Sequence, residues 1–318
     1  MTLEAPLAQT SARLQELVES VRRVILGKDE AITLCVVGLL AQGHLLLEDV
    51  PGTGKTTLAR ALARSVDVVF RRIQFTSDLL PADLLGVSVY SRTEERFVFQ
   101  PGPIFGNVVL ADELNRTSPR TQSALLECMH ERSVSIDGET RSLPHPFLVI
   151  ATQNPLEFEG TYPLPESQLD RFLLSVRLGY PGRDVERDIL RRHLGRDPLE
   201  ELEPVMSQTE LVEAQKTVRS VGVDDALLEY VLEFAEATRH SDLFVMGASP
   251  RAAIGWMHAA QALALVEGRT WCVPDDFKRL ALPVLGHRTI PTNASQGHVP
   301  AQTAEALTRL LGEIPIPA

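Results

Sequence analysis

Several things are scarce in this 318-residue chain, and each scarcity removes a class of function. Cysteine occurs three times, as Cys35, Cys128 and Cys272, with no CxxC spacing. An odd count cannot all pair within one chain, so a disulfide scaffold is excluded and buried thiols in a reducing compartment are expected. Cys128 and His130 lie close together, but two ligands do not make a zinc site. Basic residues are in deficit, 31 against 42 acids, for a net charge of -11. Neutralising a polyanion needs clustered Lys and Arg, so nucleic acid is not the expected partner. Arg71-Arg72 and Arg191-Arg192-His193 are too short to serve as nucleic-acid tracks. Long apolar runs are missing too. Ala31–Leu47 comes nearest, but Gln42, Gly43 and His44 interrupt it, and it falls short of the ~20 apolar residues a span requires. It reads as a buried helix, a break at Gly43 and a strand. Met1–Arg13 lacks the basic and apolar regions of a secretory leader, so a cytoplasmic location is expected.

What is present is an alternation of short apolar runs and helical periods over the first ~180 residues, which is the α/β pattern. The runs predict strands at His44–Leu47, Val68–Ile73, Val108–Ala111, Phe147–Ala151 and Leu173–Leu178. Leu14–Val24 and Thr121–Met129 carry apolar residues at helical spacing. From Asp184 onward the spacing is almost purely helical, with Ala226–Thr238, Pro250–Val266 and Pro274–Leu282 the clearest segments. The expected division is therefore 1–183 and 184–318.

Four motifs carry chemistry. Asp49-Val50-Pro51-Gly52-Thr53-Gly54-Lys55-Thr56-Thr57 follows an apolar strand and precedes the helical Leu58–Ser65, the context a phosphate-binding loop requires. Gly52 and Gly54 let backbone N–H groups turn toward phosphate oxygens, and the helix start adds its positive end. Lys55 would meet the β- and γ-phosphates and the Thr56 hydroxyl would ligate Mg²⁺. The full pattern has glycine where this chain has Asp49. Aspartate tolerates left-handed angles better than most residues, so the loop is expected to survive.

The second motif is Val108-Val109-Leu110-Ala111-Asp112-Glu113, a buried strand running into two acids. Asp112 is placed to hold Mg²⁺ through water and Glu113 to polarise the attacking water. The third, Phe147 to Asn154, is a strand ending in polar residues, where Asn154 can orient water or the γ-phosphate. Strands often end at Asn in a turn, so this motif is weak alone. The fourth is Leu164 to Phe172, containing Asp170-Arg171. By itself that pair also fits a surface ion pair of little energetic weight.

In this order, and followed by Ser249-Pro250-Arg251, the motifs resemble an AAA+ ATPase over nearly the whole chain. The resemblance makes Asn154 sensor 1, Arg171 the arginine finger, Arg251 sensor 2 and the helical C-terminal part the lid. It implies a parallel five-stranded sheet of order 5-1-4-3-2. Within that class the chain is similar to the MoxR family. The strings that carry this are Phe75–Gly86, Pro101–Phe105, Asp112–Arg116, Glu159–Glu166 and Leu282–His287. The family implies two inserted hairpins. Val87–Tyr90 with Arg96–Phe99 supplies one, and Ser133–Ile136 with Glu139–Arg141 across Asp137-Gly138 the other, Asp-Gly being a strong tight-turn signal. Val24–Gly27 resembles the segment that covers the adenine, and fits core packing equally well.

The resemblance implies ATP and Mg²⁺ as substrate and cofactor, a hexameric ring, chaperone-like remodelling, and a protein partner with a von Willebrand factor A domain. A magnesium-chelatase-like motor subunit and a nucleic-acid motor share much of this architecture. They remain alternatives, as does a nucleotide-controlled scaffold that does not hydrolyse. His44, His145 and His287 lack the spacing of a triad or metal site and are expected to be structural.

Overall fold

The computed structural model describes residues 4–154, 160–195, 197–292 and 300–315. Five strands form the central sheet: β1 (His44–Glu48), β2 (Phe70–Gln74), β3 (Val108–Asp112), β4 (Leu148–Gln153) and β5 (Phe172–Val176). Their order across the sheet is β2-β3-β4-β1-β5 and every pairing is parallel. Read from the other edge, this is the expected 5-1-4-3-2.

The strands are short apolar runs because helices cover both faces. Alternate side chains serve different layers. Leu45, Leu47, Leu110, Ile150 and Leu174 point into a large cluster with the Glu4–Arg22, Asp29–Leu40 and Lys55–Ser65 helices. Leu46, Val109, Ala111, Val149 and Phe172 point the other way, toward the Pro119–Glu131 helix. His44 is fixed at the start of β1. Its Nε2 donates to the Met129 carbonyl at 3.0 Å and its Nδ1 accepts from the Val149 N–H at 3.0 Å. Burial pushes its pKa down to about 4.

Beyond β5 the chain is helical, from Arg183–Arg192 to Pro300–Glu313. The large cluster continues without a break into this lid, where Phe234 and Phe277 meet Trp256 edge to face at 5.1 and 5.7 Å. The lid also holds a short antiparallel pair, Phe244–Met246 with Ile290–Pro291. Runs of two or three residues are below what apolar periodicity can register.

Both inserted hairpins are present. Gly86–Ser91 pairs with Arg96–Pro101 after the short Pro81–Leu85 helix, and Ser133–Ile136 pairs with Glu139–Ser142 directly after the Pro119–Glu131 helix. In the second, Asp137 and Gly138 both take positive φ, 53° and 79°, as a two-residue type I′ turn needs. The first ends in exposed Tyr90 and Phe97. The two hairpins touch: the Arg141 guanidinium lies 4.3 Å from the centre of the Phe99 ring, which itself packs on Phe105. Of the Glu159–Glu166 string, Glu159 lies outside the described residues.

Candidate nucleotide site and its distant arginines

The phosphate-binding loop begins where β1 ends at the sheet's carboxyl edge, beside β4. Gly52 and Gly54 have φ of 82° and 95°, and a Cβ at either would meet nothing within 4 Å. The glycines thus serve the backbone conformation and leave open space over the loop. The Lys55–Ser65 helix starts at Gly54 with no side-chain cap, so its first N–H groups are free to face an anion. Thr53 turns back, its hydroxyl donating to the Val50 carbonyl at 3.3 Å.

Asp49 corrects one expectation. It does not take a left-handed conformation. Its carboxylate instead accepts the N–H groups of Leu178 (2.6 Å) and Gly179 (2.8 Å), tying the loop to the chain after β5. Its carbonyl accepts from Lys55 Nζ at 2.7 Å. Partial burial lowers the Lys55 pKa, opposed by the nearby carboxylates of Asp112, Asp49 and Glu113.

Pro51, Gly52, Gly54, Lys55, Thr56 and Thr57 line one cleft with Asp112, Glu113 and Asn154, enclosing roughly 400 Å³. The structure therefore brings these sequence-predicted residues together. It adds Arg72 and Gln74 from β2. Arg72 donates to Asp112 Oδ2 through Nη2 (2.7 Å) and Nε (3.2 Å). Gln74 Nε2 donates to Glu113 Oε2 at 2.6 Å, and Arg116 Nη1 to the same oxygen at 3.0 Å. Both hold the Glu113 carboxylate.

Thr152 was also missed. Its buried hydroxyl donates to Asp112 Oδ1 at 2.7 Å and accepts the Glu113 N–H at 2.8 Å. One oxygen thereby fixes both acids, and Glu113 sits in the left-handed region, φ 58° and ψ 50°. For Arg72 and Gln74 the available signal was their two-residue spacing on the edge strand β2, which puts both on one face.

The donor set suits a hard cation. Thr56 and Asp112 offer oxygen, as Mg²⁺ prefers, and no group of three or more His, Cys, Asp or Glu among the described residues forms an all-protein metal cage. Mg²⁺ typically binds by one or two carboxylates plus substrate phosphates.

Arg171 and Arg251 are elsewhere. Arg171 precedes β5, and β5 runs parallel to β1 with Phe172 level with His44. Arg171 is thus at the amino edge of the sheet, roughly 16 Å of strand from the loop after β1. Its Nη1 donates to the Leu126 carbonyl at 2.6 Å. Arg251, exposed at the start of the Pro250–Val266 helix, is on the same side, with Nη2 3.2 Å from His130 Nδ1. Together with Arg132 they line a second cleft of about 290 Å³.

Val24–Gly27 has core contacts: Ile25 is buried, and a Cβ on Gly27 would come within 3.0 Å of Val185.

Sheet order, phosphate loop and paired acids define a P-loop protein of the AAA+ class. Residues 44–174 match the family model described as ATPase family associated with various cellular activities (AAA), and residues 236–309 match the AAA lid domain. The chain is 52% identical over 275 residues to YeaC of Bacillus subtilis, covering 86% of each. It is 43% identical to Chaperone MoxR1 of Mycobacterium tuberculosis, over 90% of this chain and 78% of that one. A Cytophaga hutchinsonii chain whose crystal structure is ascribed to an ATPase superimposes with a TM-score of 0.90, at 35% identity, covering 99% of this chain and 98% of that one. The chain belongs to the MoxR family of AAA+ ATPases. No helix among the described residues is long and apolar enough to cross a membrane.

Proposed function

We propose that the protein hydrolyses ATP with Mg²⁺ at sites completed by a neighbouring copy in a head-to-tail ring. The observation that carries this is the separation of the two clefts to opposite edges of one parallel sheet. One edge holds Lys55, Thr56, Asp112, Glu113 and Asn154, and its arginines, Arg72 and Arg116, are engaged with Asp112 and Glu113. The other presents Arg171 and Arg251 with no phosphate loop beside them. A head-to-tail arrangement matches the one to the other, and closes when the rotation allows it.

In this reading the loop amides and Lys55 bind the β- and γ-phosphates. Thr56 would hold Mg²⁺ directly and Asp112 through water, and the ion would supply neutralisation of phosphate charge. Glu113, once released by Gln74 and Arg116, orients the attacking water and accepts its proton. Asn154 positions that water or the γ-phosphate. Arg171 reaches the neighbour's γ-phosphate, where a bidentate, permanently charged guanidinium suits the transition state. Arg251 acts beside it across the same interface.

The ring is hexameric, works in the cytoplasm, and couples hydrolysis to remodelling of protein complexes alongside a partner bearing a von Willebrand factor A domain. Kinship with Chaperone MoxR1 supports the remodelling role. The exposed aromatic tip of the first hairpin offers a surface for contacting other proteins.

Mixing two inactive variants tests the core of the proposal. Arg171→Ala and Glu113→Gln should each lose most turnover, the former by ~10³–10⁵. Random mixing at equal amounts leaves about a quarter of interfaces complete in a closed ring. Phosphate release should therefore return on mixing and vanish on dilution. No return in rings shown to contain both variants would mean that Arg171 works in its own subunit or that the ring needs every site intact; a small fraction of Arg171→Ala in wild-type rings separates the two, by a proportional fall or a steep collapse in turnover. A pull-down with Glu113→Gln, which should hold ATP and partners together, tests the remodelling role.

A further inference from the structure

Arg288 is 4% exposed, an unusual position for an arginine. Its Nε and Nη2 donate to the Phe172 carbonyl at 3.1 and 2.5 Å, and its Nε stands 3.7 Å from Asp170 Oδ1. Burial pulls its pKa down to about 10, with Asp170 opposing and Arg251 assisting that fall. Burying a charge this way is poor value for stability alone, because desolvation offsets most of the attraction. The partners are what stand out. Asp170 and Phe172 are the residues on either side of Arg171.

Two more lid groups act on the same short segment. Ser249 Oγ donates to Asp170 Oδ1 at 2.9 Å, and the same Ser249 caps the helix that carries Arg251. His287 Nε2 lies 2.8 Å from the Phe172 carbonyl. The Pro250–Val266 helix also makes room for the buried guanidinium. A Cβ at Gly255 would come 3.3 Å from Arg288 Nη1 and 2.9 Å from Leu173 Cδ1. Glycine is the poorest helix former after proline, and its use mid-helix here has that steric reason.

We infer that Arg288 is a positioning residue for the arginine finger: through Asp170 and the Phe172 carbonyl, the lid sets the backbone from which Arg171 projects into the neighbouring site. This rests on the proposed role of Arg171 in trans. The finger's other anchor, the Leu126 carbonyl, belongs to the core, so Arg171 is held between lid and core. A lid that shifts with its own nucleotide state would move the finger it offers to the next subunit. Displacing a reacting group by about 1 Å can cost 10²-fold in rate, so a modest shift suffices.

The test is Arg288→Met, which keeps much of the volume and leaves His287 on the Phe172 carbonyl. Alone, it should bind ATP with wild-type affinity and turn over about 10- to 100-fold more slowly. Mixed with Glu113→Gln, which still offers a correctly set finger, it should recover as Arg171→Ala does. Mixed with Arg171→Ala it should not recover, since neither subunit then offers a competent finger. A residue needed only for folding would not give this donor-side pattern. Wild-type turnover of Arg288→Met overturns the inference. So does recovery with Arg171→Ala, or no recovery with Glu113→Gln under conditions where Arg171→Ala recovers. If Arg171→Ala itself fails to recover with Glu113→Gln, the reading of independent sites completed in trans has failed instead. Should Arg288→Met not fold, Ser249→Gly decides. Glycine retains most of the capping preference while losing the bond to Asp170. The same pair of mixing results is expected from it, and the opposite pair overturns the inference.

Discussion

Replacing Thr152 with valine should damage the catalytic edge without touching the phosphate loop. The two side chains have nearly the same shape, so no cavity forms at this fully buried site. What disappears is one oxygen with two bonds, to Asp112 Oδ1 at 2.7 Å and from the Glu113 N–H at 2.8 Å. A bond to a charged group contributes about 1.5–3 kcal/mol, and a stranded buried N–H costs about 1–3 kcal/mol. Arg72 still pairs Asp112, so the lower part of the combined range applies, about 2.5–4 kcal/mol. Against a typical total of about 5–15 kcal/mol this is a measurable loss. The denaturant midpoint should fall with the slope unchanged. Turnover should fall more sharply. Glu113 holds a left-handed backbone that disfavours residues with a Cβ, by roughly 1–2 kcal/mol, and the Thr152 bond helps keep it there. Once released, a carboxylate moved by about 1 Å loses about 10²-fold in rate. ATP affinity by calorimetry should stay near wild type, and Thr152→Ser should restore both properties. Turnover within twofold of wild type with an unmoved midpoint would refute this account of how the two acids are held.

Four further outcomes are expected. Lys55→Ala should abolish nucleotide binding by calorimetry, and chelating Mg²⁺ should stop turnover in the wild type until Mg²⁺ is returned. Arg251→Ala should slow turnover and, in mixed rings, recover with Glu113→Gln, because Arg251 is on the Arg171 side; unchanged turnover and unchanged nucleotide-dependent protease sensitivity count against it. His44 should make the fold acid-sensitive: its folded pKa of about 4 is below the unfolded value of about 6.5, so the unfolded chain takes up the proton first. Its full contribution is present above pH 6.5 and is lost as pH falls toward 4, about 3 kcal/mol in all. His44→Gln should flatten that part of the stability profile, and identical profiles would refute the assignment.

The parts of this site that sequence exposes are those defined within one segment. A strand running into Asp112-Glu113, or a glycine loop between strand and helix, carries its own context. Arg72 and Thr152 could not be read that way. Their roles depend on register between neighbouring strands, such as Gln74 level with Asp112 in the β2–β3 pair. Each meets Asp112 across 40 residues of chain. Asp49 shows a different limit. The departure from glycine was visible, but the compensation comes from N–H groups about 130 residues on. Arg288 and the Phe172 carbonyl it holds are 116 residues apart, and nothing local distinguishes a buried arginine from a surface one.

The contact of Arg141 with Phe99 has a mechanical consequence. The second hairpin is rooted directly on the Pro119–Glu131 helix, whose Leu126 carbonyl holds the Arg171 guanidinium. Through Arg141 the first hairpin leans on the second. A six-residue strand is roughly 20 Å long, so a tilt of about 6° at the first hairpin's own root, after the Pro81–Leu85 helix, would carry the aromatic tip about 2 Å sideways. The two hairpins thus meet close to the helix whose Leu126 carbonyl holds Arg171, and the free end of the first carries Tyr90 and Phe97. Replacing Phe99 with alanine would remove that meeting point and leave each hairpin to move on its own root.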